Sequence, residues 1–264
     1  MKFICKVLSF IKGGVQPETQ KVADPEPYRQ AAVRKCPYCD YQLDKPPGRK
    51  KKCPNCQNFM FVRTSPTNNV KVVVTEAQAD EIDLEWAKIG GTYDEVMENR
   101  RSFEKEKEKL KQDWGADPSD NDVEWHLLMQ ERLTHASNEM WGFYRNTTLS
   151  MAENAKKSNK IIESLMLYWE VCYLDLNGPV NVGINKNGRP KSNPFKPEKP
   201  YSMIAPGIMS RIKKLASKNK ITDEKLKEYY FQSAQQVHES LQLPCSPEVV
   251  WEMIQKYENE GQSN

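Results

Sequence analysis

Histidine is scarce in this chain of 264 residues: His126, His135 and His238 are the full set, and no two stand at a ligand spacing from one another. A histidine-held catalytic metal therefore has no foothold. Long hydrophobic runs are missing too. The most apolar helical stretch, Ile161 to Leu176, carries Glu163, Glu170 and Asp175, whereas a membrane span needs roughly 20 nearly uncharged residues. No phosphate loop is present: LDLNGPVNVG (174–183) and INKNGRP (184–190) contain glycines with no Lys-Ser/Thr pair after them. The apolar fraction is 38% against 28% charged residues, the composition of a soluble chain with a modest core. The first twelve residues, MKFICKVLSFIK, are followed by no small-residue cleavage site, which argues against a secretory signal peptide.

What the chain does have is cysteine in a pattern. Four of its seven cysteines form two C-x-x-C pairs, and Cys5, Cys172 and Cys245 are scattered. This is no secreted disulfide framework; it points to a reducing, cytoplasmic setting and a metal site. In KCPYCDYQLDKPPGRKKKCPNCQNFMFVRT, Cys36 and Cys39 are separated by thirteen residues from Cys53 and Cys56. Each tight C-P-x-C turn converges two sulfurs, and two turns supply four thiolates for one tetrahedral Zn²⁺ at about 2.3 Å. A closed four-sulfur shell leaves no position for water, so the ion is expected to be structural and to fold a segment too small for its own core. Iron in a four-sulfur site shares the geometry and is the rival metal.

These thirty residues resemble the zinc-ribbon family, in which a knuckle, a hairpin and a second knuckle grip one zinc. Ribbons often place Gly after the second cysteine of a knuckle; here Asp40 and Gln57 stand there, which implies strained or differently shaped turns. With FMFVRT (59–64) and YWEVCYLDLNGP (168–179), the whole chain is similar to uncharacterised bacterial and prophage zinc-ribbon proteins with a helical C-terminal domain. That likeness implies a cytoplasmic bacterial or phage setting and carries no activity.

Charge is distributed unevenly. Residues 1–64 hold 13 Lys/Arg against 5 Asp/Glu, and residues 65–264 hold 26 against 31. Lys45, Arg49, Lys50, Lys51 and Lys52 crowd the loop between the knuckles, with Tyr38, Tyr41, Phe59 and Phe61 close by. Cations for phosphate beside aromatic faces for bases suit single-stranded nucleic acid. The alternative is that the lysines balance the −2 charge of a zinc held by four thiolates while the module docks on protein.

The organisation read from the residues is an amphipathic helix at 1–12, a linker at 13–33, the ribbon at 34–64 and an α-helical domain at 70–264 with a loop at 177–206. The first helix reads as docking on the chain's own body or a partner, with interfacial membrane contact as its rival. Val70 to Val74 reads as a strand, and Thr75 with Gln78 as a capping box for a helix ending at Gly90-Gly91. Tyr93, Val96, Phe103, Leu110 and Trp114 trace a helical stripe, and the 104–109 charge run reads as a solvated face. The next helix, behind Ser119, carries Val123, Trp125, Leu127, Leu128 and Leu133. The acids Asp117, Asp120, Asp122 and Glu124 gather at its first turn, where capping explains them better than catalysis. A following stripe joins Trp141, Tyr144, Thr148, Met151 and Ala155. The helix at 161–176 has two adjacent seams, Ile161/Leu165/Tyr168/Cys172/Leu176 and Ile162/Met166/Trp169/Tyr173, a face wide enough for neighbours on two sides. Residues 145–176 have about the length of one tetratricopeptide unit, with loose matches at Ala152, Ser164 and Tyr168.

The fold class expected is therefore a small β zinc ribbon followed by a mostly α-helical domain, a helical bundle with one tetratricopeptide-like helix pair. The functional expectation is a non-enzymatic adaptor with one structural Zn²⁺, its ribbon touching nucleic acid and its helical domain a protein partner; no membrane partner is expected. A purely protein-binding factor is the alternative, and a metal-dependent enzyme working through the acidic cluster the third.

Overall fold

The computed structural model describes residues 34–205 and 207–261; the helix expected at 1–12, the linker at 13–33 and Cys5 lie outside them. The chain divides between Ser102 and Phe103 into two compact units.

In the first unit, strands β1 (Lys51–Lys52), β2 (Phe59–Thr64) and β3 (Lys71–Val74) form an antiparallel sheet in that order. Successive strand residues face opposite sides, and here both sides of β2 and β3 are covered. Met60 and Val73 join Leu43, Cys36 and Cys53 on one face. Phe61, Val72 and Val74 pack on the other against Ala79, Ile82 and Trp86 of α1 (Glu76–Ile89). Thr75 and Gln78 form the expected capping box. The Trp86 indole donates to the Thr64 carbonyl (2.8 Å) and Arg63 grips Asp83 with two bonds (2.8 and 2.9 Å). Arg100, in the first half of α2 (Tyr93–Trp114), holds Asp80 in the same way (2.6 and 2.9 Å). The strand and helix following residue 70, which the sequence reading places with the helical domain, thus pack with the cysteine module.

The second unit contains the rest of α2, then α3 (Asp120–Ser137), α4 (Trp141–Lys157), α5 (Ile161–Asn177), α6 (Ile208–Lys218), α7 (Asp223–Leu241) and α8 (Pro247–Gly261). No helix among the described residues is long and apolar enough to cross a membrane. α5 is the central element. From Ser164 to Asn177 it is buried throughout, apart from half-buried Met166, and it packs against α4, α6, α7 and α8. The double seam accounts for this: Trp169 is only 3% exposed. Ile162, in the first turn, is the exception at 51%, because the surrounding helices close over the axis one turn later. α4 lies against α5 as a helical hairpin through a turn at Ser158–Lys160, where buried Ser164 donates its hydroxyl to the Ala152 carbonyl (2.8 Å). Small residues there let the two backbones approach closely.

Apolar spacing overstated the core elsewhere. Of the α2 stripe only Leu110 is buried, Trp114 is exposed, and so is Leu133 of α3. The 104–109 charge run is solvated except at Glu106, which is buried and 3.7 Å from both Lys109 and His126. The loop after α5 is tied back at both of its ends. Gly178 takes a left-handed conformation (φ 64°), and a Cβ there would lie 1.8 Å from the Lys196 carbonyl oxygen. Buried Asp175 anchors the loop's far end, accepting two bonds from Arg145 (2.6 and 2.7 Å) and one from the Ala205 amide (3.0 Å).

Candidate metal centre

The sulfurs of Cys36, Cys39, Cys53 and Cys56 lie within 4.8 Å of one another. Two near-identical turns bring them there. In the first, the Cys36 amide donates to the Tyr41 carbonyl and Asp40 N to Cys36 O, both 3.0 Å; in the second, Cys53 N donates to Asn58 O (2.9 Å) and Gln57 N to Cys53 O (3.0 Å). Closing each turn requires a positive φ, 56° at Asp40 and 61° at Gln57. Non-glycine residues there cost roughly 1–2 kcal/mol each, so the strain expected from the missing glycines is present. The Gln57 side chain compensates locally by donating to the Pro54 carbonyl (3.0 Å).

The donor set fits a metal. Cys36 and Cys56 sulfurs are 3.7 Å apart, and Cys39 and Cys53 sulfurs 3.8 Å. A disulfide requires about 2.05 Å, whereas a tetrahedron with metal–sulfur bonds of about 2.3 Å has edges of about 3.8 Å. The sulfurs differ in surroundings. Burial pushes the Cys36 thiol up to about 12. At Cys39 the Asn55 side-chain amide (3.6 Å) and then the Tyr41 backbone amide stabilise the thiolate, bringing it down to about 6. Asn55 was not singled out from the sequence; its position inside the second C-P-x-C turn is the signal that marks it. Among the described residues these four cysteines are the one group of three or more His, Cys, Asp or Glu side chains arranged to hold an ion. The four acids near α3 do not converge on a common point. Asp117 pairs with Lys111, Asp120 with Lys107 and Glu124 with Lys157, while Asp122 closes the capping box with Ser119.

The basic residues of the module are distributed over more than one face. Lys45, Arg49, Lys50, Lys51 and Lys52 are all exposed. Lys50 lies 4.5 Å from the Phe59 ring centre and 4.4 Å from that of Phe61, and Lys52 lies 5.1 Å from Phe59. Lys52 pairs with Phe59 across the sheet and Lys51 with Met60, which sets Lys51 on the opposite face. Phe59, Tyr38 and Tyr41 are each exposed by 42–44%. Tyr38 also accepts the Glu76 amide at the start of α1 on its hydroxyl (2.9 Å), so its ring is fixed as well as exposed.

A concavity lies wholly within the helical unit. A groove of about 630 Å³ between α3, α4, α5 and α7 is walled by Trp125, Met129, Met166 and Leu241, with Arg132, Tyr144 and Glu170 at its base. Arg132 bonds both Tyr144 and Glu170, the latter at 2.6 Å. Burial and the neighbouring Glu170 charge push the Tyr144 hydroxyl up to about 12, so it stays protonated and donates to Glu170 (3.2 Å). Methionine walls adapt to varied apolar shapes.

Neither a protein-family model, nor a curated protein, nor a solved structure matches this chain.

Proposed function

We propose that this protein is a non-enzymatic intracellular adaptor: the cysteine module is a zinc ribbon that contacts nucleic acid, and the helical unit holds a protein partner. Zinc is favoured over iron because a closed cysteine shell serves a structural ion and the chain offers no electron-transfer setting. The observation that carries the nucleic-acid half is the exposed cluster of Lys50, Lys52 and Phe59, with Tyr38, Tyr41, Lys45 and Arg49 in the same module. Half-exposed rings offer stacking faces to bases, and the adjacent cations offer phosphate contacts. For the protein half, the open groove between α3 and α7 supports the reading, because exposed Met129 and Ile162 at its edge extend an apolar surface outward. A bacterial or prophage setting belongs to the same proposal and rests on the resemblance alone.

The second reading, a purely protein-binding factor, is favoured by one observation: Lys50 and Lys52 sit over the rings they would have to vacate for bases. Gel-shift titration of the full chain against single- and double-stranded oligonucleotides at low salt separates the two. The nucleic-acid reading expects weak binding whose affinity falls with salt by roughly 0.7–0.9 log units per log unit for each phosphate neutralised. Changing Arg49, Lys50, Lys51 and Lys52 to Ser should flatten that dependence without altering metal content. Absence of binding below about 100 μM decides for protein docking.

A further inference from the structure

The mildly acidic balance of residues 65–264 averages two opposite regions. Between Asp175 and Asp223 the chain carries ten Lys and Arg residues, at 186, 189, 191, 196, 199, 211, 213, 214, 218 and 220, and a single acid, Glu198. Within the segment Arg211 pairs with Glu153 (2.9 Å), which also accepts from the Tyr168 hydroxyl (2.6 Å), while Asp175 is held by Arg145.

The best-defined part of the segment is a small hairpin. Ile184 bridges Pro190 in antiparallel fashion, and Lys191 N donates to Gly183 O (3.1 Å). Asn185 N donates to Arg189 O (2.7 Å), while the Asn185 side-chain oxygen accepts the amides of Asn187 (2.9 Å) and Arg189 (3.1 Å). The base of the hairpin is held by the Glu139 carbonyl, which accepts from Val182 and Gly183 (3.2 and 3.3 Å). The Glu139 carboxylate is occupied by the Trp141 indole. Lys186, Arg189 and Lys191 project from this braced turn, exposed and without an ion pair among the described residues.

We propose that the 183–191 hairpin is a second nucleic-acid contact, presenting Lys186, Arg189 and Lys191 to the phosphate backbone from the helical unit. A protein interface is built around an apolar and aromatic centre. This tip has only Ile184 and Pro190 to offer; its remaining side chains are amides and cations. Phosphate contacts ask for cations and amide donors and need no apolar centre. A braced backbone also lets three cations be presented with little ordering cost. Further along the loop, Lys196 lies 4.9 Å from the ring centre of exposed Tyr201, an added cation and aromatic face of the kind that binds unpaired bases. The inference does not depend on the cysteine module, since the charges belong to the other unit.

The test compares the full chain with two variants, the hairpin triple Lys186→Ser/Arg189→Ser/Lys191→Ser and the ribbon quadruple Arg49→Ser/Lys50→Ser/Lys51→Ser/Lys52→Ser. Oligonucleotide anisotropy is followed across a salt series, and phosphatidylserine vesicles serve as the competing anionic surface. If all three hairpin cations meet phosphates, the triple variant lowers the slope of log affinity against log salt by about 2–3. Its circular dichroism should stay unchanged, because none of the three side chains takes part in packing. Affinity and slope equal to wild type in the triple variant overturn this proposal, and if binding is then lost in the quadruple variant the ribbon reading stands alone. Loss confined to the triple variant supports the hairpin and overturns the ribbon. Wild-type silence up to about 100 μM overturns both, and tighter hairpin-dependent binding to vesicles than to any oligonucleotide overturns the choice of nucleic acid.

Discussion

Removing the metal should unfold the first unit and spare the second. The sheet of the first unit is covered on one face by the knuckles and on the other by α1. Without the ion nothing holds the four sulfurs together, the strained turns at Asp40 and Gln57 lose the bonds that fix them, and Leu43, Met60 and Val73 lose their cover. Burying each of those three side chains is worth about 1.5–3 kcal/mol, so uncovering them removes several kcal/mol from a unit with little to spare. What remains is two strands and a helix of 14 residues. A helix of that length is marginal in isolation, and the sheet needs a packed face to stand. Strands and α1 should therefore melt together.

The expected signal follows from the helix lengths. α1 holds about a tenth of the helical residues, so chelation should remove about that share of the ellipticity at 222 nm, somewhat more if the start of α2 frays. The Trp86 indole proton, bonded to the Thr64 carbonyl, is the local reporter and should lose its dispersed NMR resonance. Metal content is read at the same time by elemental analysis, with one equivalent expected and none in a Cys53→Ser/Cys56→Ser variant. Loss of more than about half of the ellipticity would show that the two units melt as one. An unmoved Trp86 resonance in metal-free protein would refute the claim that the ion holds the sheet.

Trp169→Ala should cost roughly 3–5 kcal/mol in denaturant titration, because the indole is enclosed with Tyr230 and Trp251 at centroid distances of 5.6 and 5.8 Å; Trp169→Phe should cost much less, since the indole nitrogen is buried without an acceptor. Glu170→Ala should cost about 3–5 kcal/mol by stranding Arg132 beside the groove, and replacing Arg132 by Met together with Glu170 by Leu should recover most of it. Burial alone would raise the Glu153 carboxyl, yet the Tyr168 hydroxyl, Lys156 and Arg211 outweigh it and hold the group below its ordinary 4.5. Its contribution to stability is thus present above that value and lost as pH falls through the depressed folded value. Acid titration of Glu153→Gln should show a shallower loss over that window than wild type, and an identical profile would refute the assignment.

Legibility in the sequence followed the range of the interaction. The cysteine spacing specified the metal geometry because each knuckle closes within a few residues, and the capping boxes at Thr75 and Ser119 were legible for the same reason. The α5 seams showed how wide a face was buried, as burial from several sides leaves a two-seam pattern on one helix. Apolar spacing alone did not distinguish Leu128 from Leu133, one buried and one exposed, since the difference lies in whether another helix crosses there. Arg132 and Glu170, 38 residues apart, met because α3 and α5 both pack on α4, an arrangement that no local pattern encodes. The hairpin charges are different in kind. They were visible in the residues and disappeared only because charge was summed over 200 positions, whereas the field at a surface is set within about 8 Å by screening. An average taken over a whole domain is therefore the wrong quantity for finding a partner, and a count between successive acids, here Asp175 to Asp223, is closer to what an approaching phosphate would meet.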